Sequence, residues 1–132
     1  MTRIKKVLLY AMAGFYVFAG YNHLANPEFY LRMMPPALPE PELLNLLSGI
    51  AEIVLGVFLL EARLRVVAAW GIVALLIAVF PANVYMATEN VGPSGPGTGA
   101  GAANWYRLPL QAILIAWAWW YTRPDAEAKD SP

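Results

Sequence analysis

Long apolar runs, separated by short polar or proline-containing segments, make up most of this chain. A helix needs about 20 apolar residues, at a rise of about 1.5 Å per residue, to cross the hydrocarbon core of a membrane. Runs of this kind predict four helices, the last one shorter, over residues 6–25, 43–60, 66–88 and 105–121. We therefore expect an all-α fold, an integral membrane four-helix bundle that fills residues 1–122, followed by a disordered tail over residues 123–132.

The segments between the predicted helices differ in character. The first run follows three basic residues, as in a signal peptide, but it is long for one and lacks a clear cleavage motif, so we expect a membrane helix. Asn26 and Pro27 predict the start of a short interfacial helix. Residues 34–41 contain four prolines and are expected to be extended and stiff. Residues 89–104 are rich in glycine and are expected to form a flexible loop.

The composition also favours a membrane protein. Hydrophobic residues make up 59% of the chain and charged residues only 14%, against about 25% charged residues in ordinary soluble domains. The formal net charge is zero, so we expect no nucleic-acid partner. The lack of cysteine excludes disulfides, thiolate metal sites and haem attached through cysteine, and the single histidine, His23, is weak evidence for a metal, so no metal site is expected.

Basic residues are distributed unevenly between the two sides of the predicted bundle. Four crossings put both termini and the turn between the second and third helices on the same side. That side holds seven of the nine basic residues, and the other side holds two, Arg32 and Arg107. By the positive-inside rule we expect both termini to be cytoplasmic, in a multi-pass protein of the cell membrane such as the bacterial inner membrane.

One ionisable residue, Glu52, lies near the centre of the second apolar run. A carboxylate there costs at least about 2.5 kcal/mol, so we expect it to face the protein interior with a partner or a proton. Ser48, Glu52 and Gly56 recur every four residues and therefore share one helix face. Glu52 is either a functional group or a structural tie between helices, and the sequence leaves both readings open.

The other polar residues of the predicted helices lie toward the side opposite the termini. They are His23 at the end of the first helix, Asn83 near the end of the third, and Arg107 and Gln111 at the start of the fourth. Glu52 lies about 13 Å below the start of the second helix, at an overlapping depth. This overlap predicts a polar pocket that opens outward. Within it we expect Glu52 to pair with Arg107, directly or through water, with His23 or Gln111 completing the network.

Six short motifs are spread over nearly the whole chain, from about Val7 to Tyr121. They are Asn22-His23-x-x-Asn26-Pro27-x-Phe29, Met33-Met34-Pro35-Pro36-x-Leu38-Pro39-x-Pro41, Ser48-Gly49-x-x-Glu52-Ile53-x-x-Gly56, Ala69-Trp70-Gly71, Phe80-Pro81-Ala82-Asn83-x-Tyr85-Met86 and Arg107-x-Pro109-x-Gln111. In combination they resemble the DoxX family of small four-helix integral membrane proteins. The glycine-rich residues 89–104 depart from the shorter loops of close relatives.

The resemblance implies a role in membrane redox chemistry. The namesake of the family is the small membrane subunit of a thiosulfate:quinone oxidoreductase, and other relatives are associated with bacterial membrane redox complexes. The implied function is a small membrane subunit of a quinone-linked redox system, with a quinone or a similar lipid-soluble molecule in the outward pocket. Its implied partners are membrane lipid and either redox protein subunits or further copies of this chain.

In that function each polar residue has an expected role. His23 and Glu52 are expected to exchange protons, and Arg107, Asn83 and Gln111 are expected to donate hydrogen bonds to quinone oxygens. The same motifs add three further ligand-binding candidates, Asn22, Ser48 and Tyr85. The competing class is a non-catalytic membrane scaffold or assembly factor, in which the polar cluster only holds the bundle together.

Overall fold

Helices account for the regular structure of this protein. The computed structural model describes residues 1–32, 34–91, 97–99 and 101–123. These described residues form six helices and no strand. In chain order the helices are α1 (Arg3–Ala25), α2 (Pro27–Leu31), α3 (Pro41–Phe58), α4 (Arg65–Thr88), α5 (Ala102–Trp105) and α6 (Arg107–Trp120). The all-α class expected from the sequence is confirmed.

Glycine residues set the distance between α1 and α3. Gly20 lies against Gly49, and Gly56 lies against Ala13, so the two helices run in opposite directions. A Cβ atom added to Gly49 would lie 2.9 Å from the Cβ of His23. Small residues allow two helix backbones to approach this closely. The close approach brings the end of α1 that carries His23 directly onto α3.

The apolar core lies toward the end of the bundle that holds the N-terminus. It is built from buried side chains of α1, α4, α6 and the end of α3, among them Leu9, Met12, Leu59, Ile72 and Tyr121. The hydroxyl of Tyr121 donates a hydrogen bond of 2.7 Å to the backbone oxygen of Lys5. This bond ties the end of α6 to the start of α1.

The proline segment, residues 34–41, is folded into turns. The backbone N–H of Leu38 donates a 3.1 Å hydrogen bond to the oxygen of Pro35, and Glu40 has a left-handed φ of 47°. Pro36 therefore occupies the second position of a turn, where its fixed φ is favourable. The prediction that this segment is extended is wrong for its described residues, because the same restriction on φ also suits a turn.

The described parts of the glycine-rich residues 89–104 are joined by hydrogen bonds around Asn90, which has a left-handed φ of 49°. The side-chain oxygen of Asn90 accepts bonds from the backbone N–H of Gly101, at 2.8 Å, and from the amide of Asn104, at 3.1 Å. Residues 92–96 and 100, in the predicted flexible loop, lie outside the described residues. So do residues 124–132, in the predicted disordered tail.

Two of the helices in the described part of the chain, α3 and α4, are long and apolar enough to cross a membrane. The sequence predicts four crossings. The other two long helices do not meet both criteria: α1 has 23 residues and α6 has 14. By length and composition, then, two helices could span a membrane.

Candidate functional site

A cavity of about 260 Å³ lies between the helices, at the end of the bundle away from the N-terminus. Five polar or charged residues line it, namely His23, Ser48, Glu52, Asn83 and Arg107. Six less polar residues complete its wall: Phe29, Tyr30, Met34, Val79, Ala82 and Met86. Residues from α1, α2, α3, α4 and α6 thus meet at one cavity.

The short helix α2 supplies the aromatic part of this wall. Pro27 occupies its first turn, where a missing N–H has no cost. One turn later the ring of Tyr30 stacks on the imidazole of His23, with ring centres 3.7 Å apart and planes at 18°. The Nδ2 of Asn22 donates a 2.7 Å hydrogen bond to the hydroxyl of Tyr30. Asn22 therefore acts on the cavity through Tyr30.

Two hydrogen bonds to Asn45 of α3 hold His23 in place. The Nδ2 of Asn45 donates to the backbone oxygen of His23 at 2.9 Å, and its Oδ1 lies 2.7 Å from the Nδ1 of His23. Asn45 is 3% exposed. Because a buried amide is costly unless it is paired, this double contact fixes both the position and the ring orientation of the histidine.

The other ring nitrogen of His23 faces Glu52. Its Nε2 lies 3.5 Å from the Oε1 of Glu52, and the two side chains are 14% and 15% exposed. The second carboxyl oxygen of Glu52, Oε2, is buried and has no hydrogen-bond partner among the described residues. A buried oxygen without a partner is rare in folded proteins. The hydroxyl of Tyr16 is likewise buried and has no hydrogen-bond partner among the described residues.

Asn83 and Gln111 form a second polar connection, between α4 and α6. The Nε2 of Gln111 donates to the backbone oxygen of Leu76, and the Nδ2 of Asn83 donates to the Oε1 of Gln111. Pro81 lies inside α4 at this level and has no N–H to donate to the oxygen of Ile77. Gln111 thus supplies α4 with a hydrogen bond next to the point where proline interrupts the helical pattern.

Arg107 is the first residue of α6 and is exposed. Its Nη1 donates to the sulfur of Met86 at 3.3 Å. The expected direct ion pair with Glu52 is not formed, although both side chains line the cavity. Asn45 and Tyr30 hold His23 against Glu52, and the guanidinium of Arg107 retains most of its donors for a ligand.

Five of the eight residues expected from the sequence to form the site line one cavity. The other three do not line it. Asn22 bonds to Tyr30, Gln111 bonds to Asn83, and Tyr85 packs beside Met86 in a small apolar cluster with Val91.

Three residues that sequence reasoning missed contribute strongly to this site: Asn45, Tyr30 and Phe29. Asn45 is seven residues before Glu52 and therefore shares its helix face, a signal that could have identified it. Tyr30 carries no comparable signal, because its position depends on how α2 folds back over the end of α1.

No group of three or more metal-ligating side chains occurs in the described part of the chain. The polar groups of the side chains that line the cavity are one imidazole, one carboxylate, one amide, two hydroxyls and one guanidinium. This set binds polar groups through hydrogen bonds and charge, and it includes a pair of groups, His23 and Glu52, that can exchange protons.

Comparison with known proteins finds one family model that covers this cavity. A family model described as "Domain of unknown function (DUF8561)" matches residues 12–122, a range that contains every residue lining the cavity. No curated protein and no solved structure matches the chain. The chain belongs to the DUF8561 family.

Proposed function

We propose that this chain is a multi-pass protein of the cell membrane. Large apolar side chains are exposed along all four long helices, for example Phe18 of α1 at 69%, Val67 of α4 at 68% and Ile113 of α6 at 63%. Soluble monomers rarely expose contiguous apolar patches larger than a few hundred Å². In the two apolar spans, α3 and α4, only 17% and 28% of the apolar window is buried inside the protein. The core helix of a soluble protein, by contrast, is mostly buried. Lipid is the environment that suits this surface.

The proposed orientation puts both termini in the cytoplasm. It rests on the distribution of basic residues, with seven of nine at the termini and in the turn after α3. In this orientation the cavity opens toward the outer face, because it lies at the opposite end of the bundle.

We further propose that the protein resembles the DoxX family in function as well as in motifs, as a small membrane subunit of a quinone-linked redox system. The observation that carries this proposal is the cavity itself. It places the His23–Glu52 pair, with one carboxyl oxygen unpartnered, beside a wall of aromatic and apolar side chains. A quinone supplies two-electron redox chemistry coupled to two protons.

The cavity fits a lipid-soluble ring that carries oxygen atoms. Its volume of about 260 Å³ lies just below the range of about 300–1,000 Å³ for drug-sized ligands, so a one-ring head group is the appropriate size. Phe29 and Tyr30 supply aromatic surface to the wall against such a head group. Arg107 offers a hydrogen bond to an oxygen, and the His23–Glu52 pair takes up or releases a proton.

The alternative function is a non-catalytic membrane scaffold or assembly factor. One observation favours it: the hydrogen bonds from Asn45 to His23 tie α1 to α3, and those of Gln111 tie α6 to α4. A polar network of this kind also stabilises a bundle without any ligand. A scaffold, however, gives no role to the cavity.

A pair of variants on α4 tests the proposal. Ala82 lines the cavity, and Ala78, one turn earlier on the same helix, is exposed and does not line it. Ala82→Phe should fill the cavity without removing any polar group, and Ala78→Phe is the matched control. The measurement is the amount of quinone extracted from each protein after purification in mild detergent, and the affinity of each for an added short-chain benzoquinone.

The expected result is quinone binding by the wild type and by Ala78→Phe, and its loss in Ala82→Phe with the helical content unchanged. If no quinone is extracted from the wild type and none binds when added, the redox proposal is refuted and the scaffold function remains. Equal binding by Ala82→Phe and Ala78→Phe would show that quinone binds elsewhere on the protein.

A further inference from the structure

Basic residues are concentrated at the end of the bundle that holds the N-terminus. Among the described residues this end has six of them and a single acidic residue, Glu61. The part of the bundle toward the opposite end has two basic residues and five acidic ones. The six come from the start of α1, the turn after α3, the start of α4 and the end of α6: Arg3, Lys5, Lys6, Arg63, Arg65 and Arg123.

The contacts of two of these residues bring the helix ends together. The ammonium group of Lys5 lies 5.1 Å from the ring centre of Trp120 and 5.8 Å from that of Tyr121, so the start of α1 meets the end of α6. The Nε of Arg65 donates a 2.7 Å hydrogen bond to the backbone oxygen of Leu59, so the start of α4 meets the end of α3. Leu59 and Tyr121 belong to one apolar core. The buried cations Lys5 and Arg65 thus hold the four helix ends in one place.

Three arginines of this set stay exposed: Arg3, Arg63 and Arg123. None of the three forms an ion pair with a residue that the structure describes. Arg32, which is exposed toward the opposite end of the bundle, has its Nη2 atom 3.4 Å from the Oε2 of Glu28. The end that holds the N-terminus therefore presents guanidinium groups that are not paired with a carboxylate of the described chain.

The exposed arginines border apolar surface. Ile4, next to Arg3, and Leu64, next to Arg63, are large apolar side chains that are also exposed. Glu61 accepts a 3.3 Å hydrogen bond from the backbone N–H of Arg63 and not from its guanidinium. At both positions the surface thus changes from cationic to apolar between neighbouring residues.

Arg123 shows the same arrangement at the end of α6. Its guanidinium carbon lies 4.9 Å from the ring centre of Trp119, which is exposed in the last turn of the helix. Tryptophan is enriched at the level of lipid head groups, where one end of the ring is in an apolar environment and the other is wet. A cation over such a ring lies at the height of a lipid phosphate.

We propose that this end of the bundle binds anionic phospholipids. Their phosphate groups lie against the guanidinium groups of Arg3, Arg63 and Arg123, which bind phosphate through paired N–H donors, and their acyl chains cover the neighbouring apolar side chains. This inference rests on the proposed placement in the membrane. A nucleic acid or free phosphate would neutralise the charge and leave the apolar surface uncovered. In the proposed orientation these lipids belong to the cytoplasmic leaflet, whose surface potential is negative.

The test compares two lipids that differ in head-group charge and have the same acyl chains. The protein, purified in a neutral detergent, is incubated with equal amounts of dioleoyl phosphatidylglycerol and dioleoyl phosphatidylcholine, and the ratio of the retained lipids is measured by native mass spectrometry. One basic residue near an anionic surface corresponds to about a fivefold change in association constant. We expect the wild type to retain phosphatidylglycerol at least about fivefold over phosphatidylcholine, and the preference to fall at high salt.

Substitutions that remove charge identify the residues involved. The triple variant with Arg3→Gln, Arg63→Gln and Arg123→Gln should lower the ratio of the two lipids at least about fivefold. Arg32→Gln, at an exposed arginine toward the opposite end, is the matched control and should leave the ratio unchanged. Inorganic phosphate added at the concentration of the lipid should not displace phosphatidylglycerol, because it cannot cover the apolar surface.

The outcomes distinguish the inference from the placement on which it rests. Equal retention of the two lipids by the wild type overturns the inference and leaves the membrane placement intact. Displacement by inorganic phosphate, or an equal loss of preference in Arg32→Gln, also contradicts it. The placement is tested separately by flotation with phosphatidylcholine vesicles after an alkaline wash, and protein that the wash removes overturns it. The wild-type ratio decides the inference even if the triple variant does not fold.

Discussion

The glycines between α1 and α3 allow one prediction to be worked out in detail from the structure. A Cβ atom on Gly20 would lie 2.7 Å from the Cγ1 of Ile53 and 2.9 Å from its backbone nitrogen, and would meet the backbone oxygen of Gly49 as well. Two of these atoms belong to the backbone and move only if α3 moves. Gly14, six residues earlier on α1, has no atom within 4 Å of the same position. The two sites therefore differ in packing alone.

The two substitutions are expected to change the free energy of unfolding in opposite directions. Inserting a methyl group into a packed interface costs about 1–3 kcal/mol, so Gly20→Ala should lower the free energy of unfolding by that amount. Replacing an unpacked helical glycine by alanine stabilises by about 0.5–1 kcal/mol, so Gly14→Ala should raise it. The two single substitutions should thus differ by about 1.5–4 kcal/mol.

The assay is reversible unfolding in mixed detergent micelles, followed by helical circular dichroism for both variants and the wild type. Gly20→Ala should also weaken quinone binding, because the same position on Gly49 faces both the backbone oxygen of Gly20 and the Cβ of His23. If Gly20→Ala and Gly14→Ala agree within about 0.5 kcal/mol, the size of an ordinary surface effect, the close approach of α1 and α3 is refuted.

Three further predictions follow from other parts of the structure. A periplasm-active reporter should be silent when fused after Pro132 and active when inserted at Ser94; the reverse result would contradict the proposed orientation. Asn45→Ala removes both bonds that hold the pocket histidine, and should weaken the binding of a short-chain benzoquinone, measured by calorimetry, at least about tenfold, whereas unchanged affinity would show that the histidine needs no support. Tyr121→Phe removes a buried 2.7 Å hydrogen bond between α6 and α1 and should cost about 1–3 kcal/mol in the same unfolding assay, with exposed Tyr10→Phe as the neutral control.

The class of fold and the positions of the long helices could be derived from the sequence. Apolar runs with a helical period determine helices because each backbone hydrogen bond is local, and proline marks their starts at α2 and α3. The conformation of the proline segment was harder to predict, since a fixed φ is compatible with both an extended chain and a turn. The contacts of the turn decide between these two conformations.

The composition of the candidate site was also determined to a large extent by the sequence. Polar residues inside apolar helices are costly and so must converge on one another or on a cavity, which predicted that His23, Glu52, Asn83 and Arg107 lie together. What the sequence could not determine is which of these groups pair. Glu52 has two possible cationic or proton-sharing partners, and sequence separation does not rank them.

Only the tertiary structure decided that pairing. Gly20 and Gly49 set how closely α1 approaches α3, and this distance places Asn45 where it holds His23 against Glu52. Arg107 remains exposed beside Met86 because it belongs to a different helix, α6, with no such contact to α3. The partners of a buried polar group depend on the register and spacing of neighbouring helices to within about an ångström, and these are properties of the packed bundle and not of any one segment.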